Sequence, residues 1–132
     1  MPSAVRPWQH VLDCLQGYVT LVDALVEGSG RGEWNFGPDA DAVRTVAELA
    51  DTAARHWSPE ATWTTGSQSD LHEASLLVLD SSRARTELGW KDRLTFEQAV
   101  ELTVAWDKRV RRGEHPESVM VDQLQHFMEL PA

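Results

Sequence analysis

Near the start of the chain, Arg6-Pro7-Trp8-Gln9-His10-Val11 combines groups that can hold a phosphorylated ligand. A guanidinium forks onto paired phosphate oxygens, an indole stacks on a planar ring, and the proline fixes the backbone between them. Other constellations are poorer. His10 and Cys14 stand four apart and could share a metal on one helix face, but no third ligand has an obvious place. His72-Glu73 lacks the second histidine of a zinc-protease helix, because Leu76 holds that position. No serine is framed by a nucleophile elbow. Gly28-Ser29-Gly30-Arg31-Gly32 is glycine-rich, yet it follows a predicted helix and opens no second one. It reads as a flexible loop, not as a dinucleotide fingerprint.

These residues need elements to position them. Two prolines restrict Pro2 to Gln9 to an extended or turn-like path. A helix over His10–Val26 follows, with Val11, Leu15, Tyr18, Val19, Val22 and Leu25 or Val26 at helical spacing. Tyr18 is expected in the core, with its hydroxyl at the rim. Glu33 to Phe36 is a short strand candidate closed by Gly37-Pro38. Asp39 or Asp41 can cap a second helix over 42–57, which Ser58-Pro59 stops. Thr62-Trp63-Thr64 and Ser75 to Leu79 are further strand candidates. Asp80 or Ser81 caps a short helix that Gly89 ends. Thr95 and Gln98 form a capping box for a helix over 96–112, with Phe96, Ala99, Val100, Thr103, Trp106 and Val110 on one face. A last helix over 117–129 carries Met120, Leu124, Phe127 and Met128 on one stripe. The fold class is therefore α+β and predominantly α-helical, with about five helices and two or three short strands in one domain, 1–132.

Bulk properties narrow the partners. The chain has 132 residues, 42% hydrophobic and 25% charged, an ordinary composition for a single domain. Its net charge of −9 argues against non-specific binding to nucleic acid or to anionic membranes. Lys108-Arg109-Val110-Arg111-Arg112 is a basic exception, but at a helix end it complements the dipole and the open carbonyls. Cys14 is the sole cysteine, which fits a reducing cytoplasm. No apolar run approaches membrane-spanning length. Trp8, Trp34, Trp90 and Trp106 read first as packing residues, with stacking on a nucleobase as the alternative for Trp8.

Taken in order, Arg6-Pro7-Trp8-Gln9-His10-Val11, Gly17-Tyr18, Trp34-Asn35-Phe36-Gly37-Pro38, His72-Glu73-Ala74, Ser82-Arg83-Ala84, Leu88-Gly89-Trp90 and Gln123-Leu124 with Phe127 resemble the C-terminal part of a CDP-glucose 4,6-dehydratase. That family lies in the extended short-chain dehydrogenase/reductase superfamily, whose members act on sugar nucleotides. The resemblance implies the small substrate-side domain without its Rossmann cofactor domain. It also implies roles: Arg6 on the nucleotide diphosphate, Glu73 (beside His72) on the ribose hydroxyls, Asn35 on phosphate or sugar, and Trp8 near the ligand. The residue chemistry agrees for Arg6 and Glu73, whose bland alternatives are a surface ion pair and a solvated carboxylate. Asn35 fits a turn equally well.

Full-length members of the family oxidise a sugar carbon with bound NAD and use a Tyr-x-x-x-Lys pair. Here the residue four after Tyr18, the one tyrosine, is Val22, and the only lysines are Lys91 and Lys108. No catalytic residue, metal ligand or cofactor site is therefore expected within this chain. Two functions remain in view. One is a sugar-nucleotide-binding domain that is not competent alone. The other is a non-catalytic interaction protein, a homodimer or the companion of a Rossmann-domain chain, because the face that met the cofactor domain would be apolar.

Overall fold

A computed structural model describes residues 1–66 and 74–131. Strand β1 (Val5–Pro7) leads into helix α1 (Val11–Val26), and a 3-10 turn (Ala40–Ala42) precedes strand β2 (Val43–Thr45). Helices α2 (Val46–Trp57), α3 (Ser82–Glu87), α4 (Phe96–Arg111) and α5 (Pro116–Glu129) complete the order. The five helices and one small sheet give the expected mostly helical α+β class. β1 and β2 pair antiparallel, with Arg6 opposite Arg44. On the other side of β1, Leu76 makes an isolated parallel bridge to Val5.

Local chemistry explains the helix starts. Thr45 and Glu48 form a full capping box for α2, and Thr95 and Gln98 form one for α4. The α2 box lies six residues later than Asp39, so residues 42–45 are a turn and a strand where a helix is expected from the sequence. Val43, Val46 and Ala47 suit a helical period, but the Val43–Thr45 backbone is taken by β1. The other strand expectations also change. Residues 33–36 and 62–64 join no ladder, and of 75–79 only Leu76 is bridged.

Three small apolar clusters make the core. Phe36, Ala84 and Trp90 form the first, with Phe36 and Trp90 edge to face at 5.2 Å. Ala42, Phe96 and Val100 form the second, against which Trp8 and Leu49 pack. Leu94, Ala99 and Phe127 form the third, joined by Leu12 and Leu130. Tryptophan thus serves packing at Trp90 and Trp8, and Trp34 leans on the first cluster.

Helix α1 is turned the other way. Its buried residues are Asp13, Gly17 and Ala24. Gly17 is small enough to let the Phe36 ring lie against the helix, where a Cβ would collide with that ring. The periodic apolar residues Val11, Leu15, Tyr18, Val19, Val22, Leu25 and Val26 all stand 47–84% exposed. Tyr18 is 55% exposed rather than in the core; its ring only touches the edge of Phe36, at 5.8 Å.

The loop after α1 is tied at several points. Ser29 donates twice to the Ala24 carbonyl, and the Trp34 indole donates to the Gly30 carbonyl at 2.8 Å. Arg83 lies over the Trp34 ring at 3.9 Å and donates to the carbonyls of Arg31 and Glu33. Gly28, Gly30 and Gly32 all have positive φ, which this winding path requires.

Candidate functional site

β1 carries Arg6, half-buried, whose Nη1 donates to the Val5 carbonyl at 2.7 Å. Trp8 follows where the chain leaves the sheet. Its indole N–H donates to the Arg44 carbonyl at 3.0 Å while the ring packs on the second cluster. Its one donor is spent, and only a ring face could meet a ligand.

Asn35 is exposed, and its amide donates to the Asp80 carbonyl at 3.2 Å. Next to it, the Gly37 N–H donates to Ser81 Oγ at 2.6 Å, inside the fold. A Cβ at Gly37 would crowd Leu79, so the two segments touch backbone to side chain. Asp80 accepts from Ser82, which lowers its carboxyl below the usual range.

One extended stretch connects these pieces. The Val5 N–H donates to the Ser75 carbonyl and the Leu77 N–H to the Val5 carbonyl, which sets residues 75–77 beside Arg6. Five residues after Ser75, Asp80 meets Asn35. The structure thus strings Arg6 and Asn35 along a single segment, no more than about 18 Å of chain from Ser75 to Asp80. His72 and Glu73, which immediately precede that segment, lie outside the described residues.

Sequence reasoning missed the polar frame beneath this site. Asp92 accepts from the Gln9 amide at 2.9 Å and from the Asp39 N–H at 2.7 Å. Arg85 bridges Asp39 at 2.9 Å and Asp92 at 3.7 Å, and donates to the Gly37 carbonyl. These bonds fix the turn after Asn35 to the residue that follows Trp8. Burial raises the Asp92 carboxyl, partly offset by its bonds from Gln9 and Asp39.

Asp13, 1% exposed, accepts the Arg93 N–H at 2.8 Å. Burial pushes its carboxyl up to about 6, against the pull of the Arg93 and Leu94 N–H groups and with a push from neighbouring Asp92. An acidic residue in the first helical turn was the visible signal. It reads there as a favourable dipole contact, not as an anchor.

Outside the frame, the α1 stripe is a surface of another kind. Seven apolar side chains about half exposed on one helix amount to roughly 600 Å² or more, the upper end of the patches seen on monomers. Leu76, Leu77, Val78 and Leu79 add four more, 42–61% exposed. Among the described residues, no cluster of His, Cys, Asp and Glu could hold a metal, and no helix is long and apolar enough to cross a membrane.

No family model matches the chain. The CDP-glucose 4,6-dehydratase of Salmonella typhimurium is 38% identical over 115 residues, which is 86% of this chain and 32% of that enzyme. UDP-glucose 4-epimerases of Bifidobacterium longum and Rhizobium meliloti are 27% and 28% identical over 112 residues, 84% of this chain and 32–33% of theirs. The chain thus spans about a third of the length of the curated relatives it matches, at their C-terminal part. The chain is similar to the C-terminal third of a CDP-glucose 4,6-dehydratase, and these relatives share one superfamily, the extended short-chain dehydrogenases/reductases.

Proposed function

We propose that the chain is a sugar-nucleotide-binding domain that carries part of a dehydratase site and is not catalytically competent alone. The observation that carries this reading is the 38% identity to one third of a CDP-glucose 4,6-dehydratase. Arg6 forks onto the ligand diphosphate, and Asn35 holds a phosphate or sugar oxygen at the other end of the 75–80 segment. Glu73, with His72 beside it, accepts bonds from a vicinal diol, and the face of Trp8 lies at the nucleotide end. The span from Arg6 to Asn35 suits a ligand with several parts better than a lone phosphate. With no Tyr-x-x-x-Lys pair in this sequence, proton and hydride transfer fall to residues outside it, where NAD is held.

A second reading is an interaction protein that associates with itself or with a Rossmann-domain chain. The outward apolar stripe of α1 favours it. Calorimetric titration with CDP-glucose separates the two, with CDP, UDP and dTDP as controls. The expected outcome is cytidine-selective binding with a Kd on the order of 0.1–1 mM, weakened at least about tenfold by Arg6→Ala with little change in Tm. No heat from the folded protein with any nucleotide overturns the binding reading and leaves assembly.

A further inference from the structure

A groove lies where the chain passes from Gln9 into α1, between that junction and helices α4 and α5. Its main chamber, about 440 Å³, is walled by His10, Val11, Leu12, Trp106 and Met120, with Gln123 at one side. A second chamber of about 280 Å³ continues toward Trp8, Leu49 and Phe96. Gln9, His10 and Thr103 border both. These volumes fall within, or just below, the range of small-molecule sites.

Two features separate this groove from the other hollows of the surface. The first is charge. No Asp, Glu, Lys or Arg lines either chamber, in a chain that is 25% charged. The hollow beside α2 is lined by Arg44, Glu48, Asp51, Arg55 and Glu97, and that beside the end of α4 by Glu101, Lys108, Arg109 and Arg112.

The second is His10, only 8% exposed. Its Nδ1 accepts the Leu12 N–H at 3.3 Å, and burial lowers its pKa, so the ring is neutral with its proton on Nε2. Among the described residues no protein group accepts from that Nε2, which faces the groove. The residue is largely buried but that nitrogen remains open to the groove, where a ligand acceptor can take the place of water. The glutamines supply the complement. Gln9 donates to Asp92 and Gln123 to the Leu102 carbonyl, which leaves the side-chain carbonyl of each to accept.

We propose that this groove binds an uncharged, planar aromatic molecule bearing an amide-like group. Its carbonyl accepts from His10 Nε2, its N–H donates to a glutamine carbonyl, and its ring lies against Trp106, Leu12 and Met120. The groove meets the residues of the proposed nucleotide site only at Trp8, which walls the second chamber; neither Arg6 nor Asn35 borders it. A diphosphate finds no counter-charge in it.

The test is an NMR titration of the full chain with benzamide, using benzoate as the charged isostere. Benzamide is expected to shift the Trp106 indole and Thr103 signals saturably, with a Kd on the order of 1 mM, and benzoate to bind at least about tenfold more weakly. His10→Asn keeps a side chain that can cap α1 but is too short to place a donor where Nε2 stands, and should weaken benzamide about fivefold or more. Thr103→Trp fills the groove from an exposed helical position and should abolish the shifts. Equal binding of the two probes overturns the proposal. So does silence at about 20 mM benzamide, or an unchanged affinity in Thr103→Trp.

Discussion

Helices α1 and α4 are both 16 residues long, yet they are built inside out relative to one another. α4 buries Phe96, Ala99 and Val100 and turns its charged residues to water. α1 buries a carboxylate, a glycine and an alanine, and shows its valines, Leu15 and Leu25 to solvent. Periodic spacing proves that a helix has an apolar side. It does not say whether the cover for that side lies in the same chain. For α4 the cover is α2 and α5; for the outer stripe of α1 no described element supplies it.

Substitutions sharpen the contrast. Phe96→Ala should cost about 3–5 kcal/mol, because it empties the centre of the second cluster; chemical denaturation measures it directly. A loss under about 1 kcal/mol would mean that α4 does not anchor the fold as its burial indicates.

An intermediate effect is expected on the buried side of α1. The Asp13 carboxyl titrates near 6 in the fold and near 3.8 in the unfolded chain. The native state therefore holds that proton more tightly, and stability from this group grows as pH falls through 6, levelling off below 3.8. Between pH 7.5 and 5 the gain is about 1.4 kcal/mol relative to Asp13→Asn. Parallel denaturation curves at the two pH values check it, and a constant difference between the two proteins would contradict it. Glu48, Glu97 and Glu114 are lowered by their partners and pull the opposite way, so comparison with the variant is needed.

The smallest change belongs to the outer stripe. Val22→Lys, at a site 57% exposed, should alter the stability of the isolated chain by no more than about 0.5 kcal/mol. It should nonetheless reduce self-association or capture by a cofactor-domain chain, read by sedimentation. A large loss of stability at unchanged oligomeric state would move that stripe back into the protein's own core.

Much of this fold was legible from the sequence. The spacing of Val11, Leu15 and Val22 and the Thr95–Gln98 box placed α1 and α4 within a residue or two. β2 was hidden because Val43, Val46 and Ala47 also suit a helical period, although the Thr45–Glu48 pair marked the true start of α2. Glu33 to Phe36 has strand composition but spends its apolar residues in the first cluster, where Phe36 lies against Gly17. Arg6 and Asn35 could be chosen only by resemblance. The frame that holds their segments was not legible at all. Gln9 meets Asp92 across 83 positions and Asp13 meets Arg93 across 80, and no local pattern encodes such pairs.

That same Asp13–Arg93 bond bears on how α1 would be recognised. Oily contacts tolerate rotation of a helix about its long axis, since one methyl replaces another at small cost. A buried carboxylate gripping a backbone N–H does not, because a few tens of degrees would break the bond and strand the charge. The bond acts as an angular index pin. It holds the exposed valines of α1, with Leu15 and Leu25, at one azimuth, so on the assembly reading the stripe is ready-aimed and docking need not first turn the helix into place.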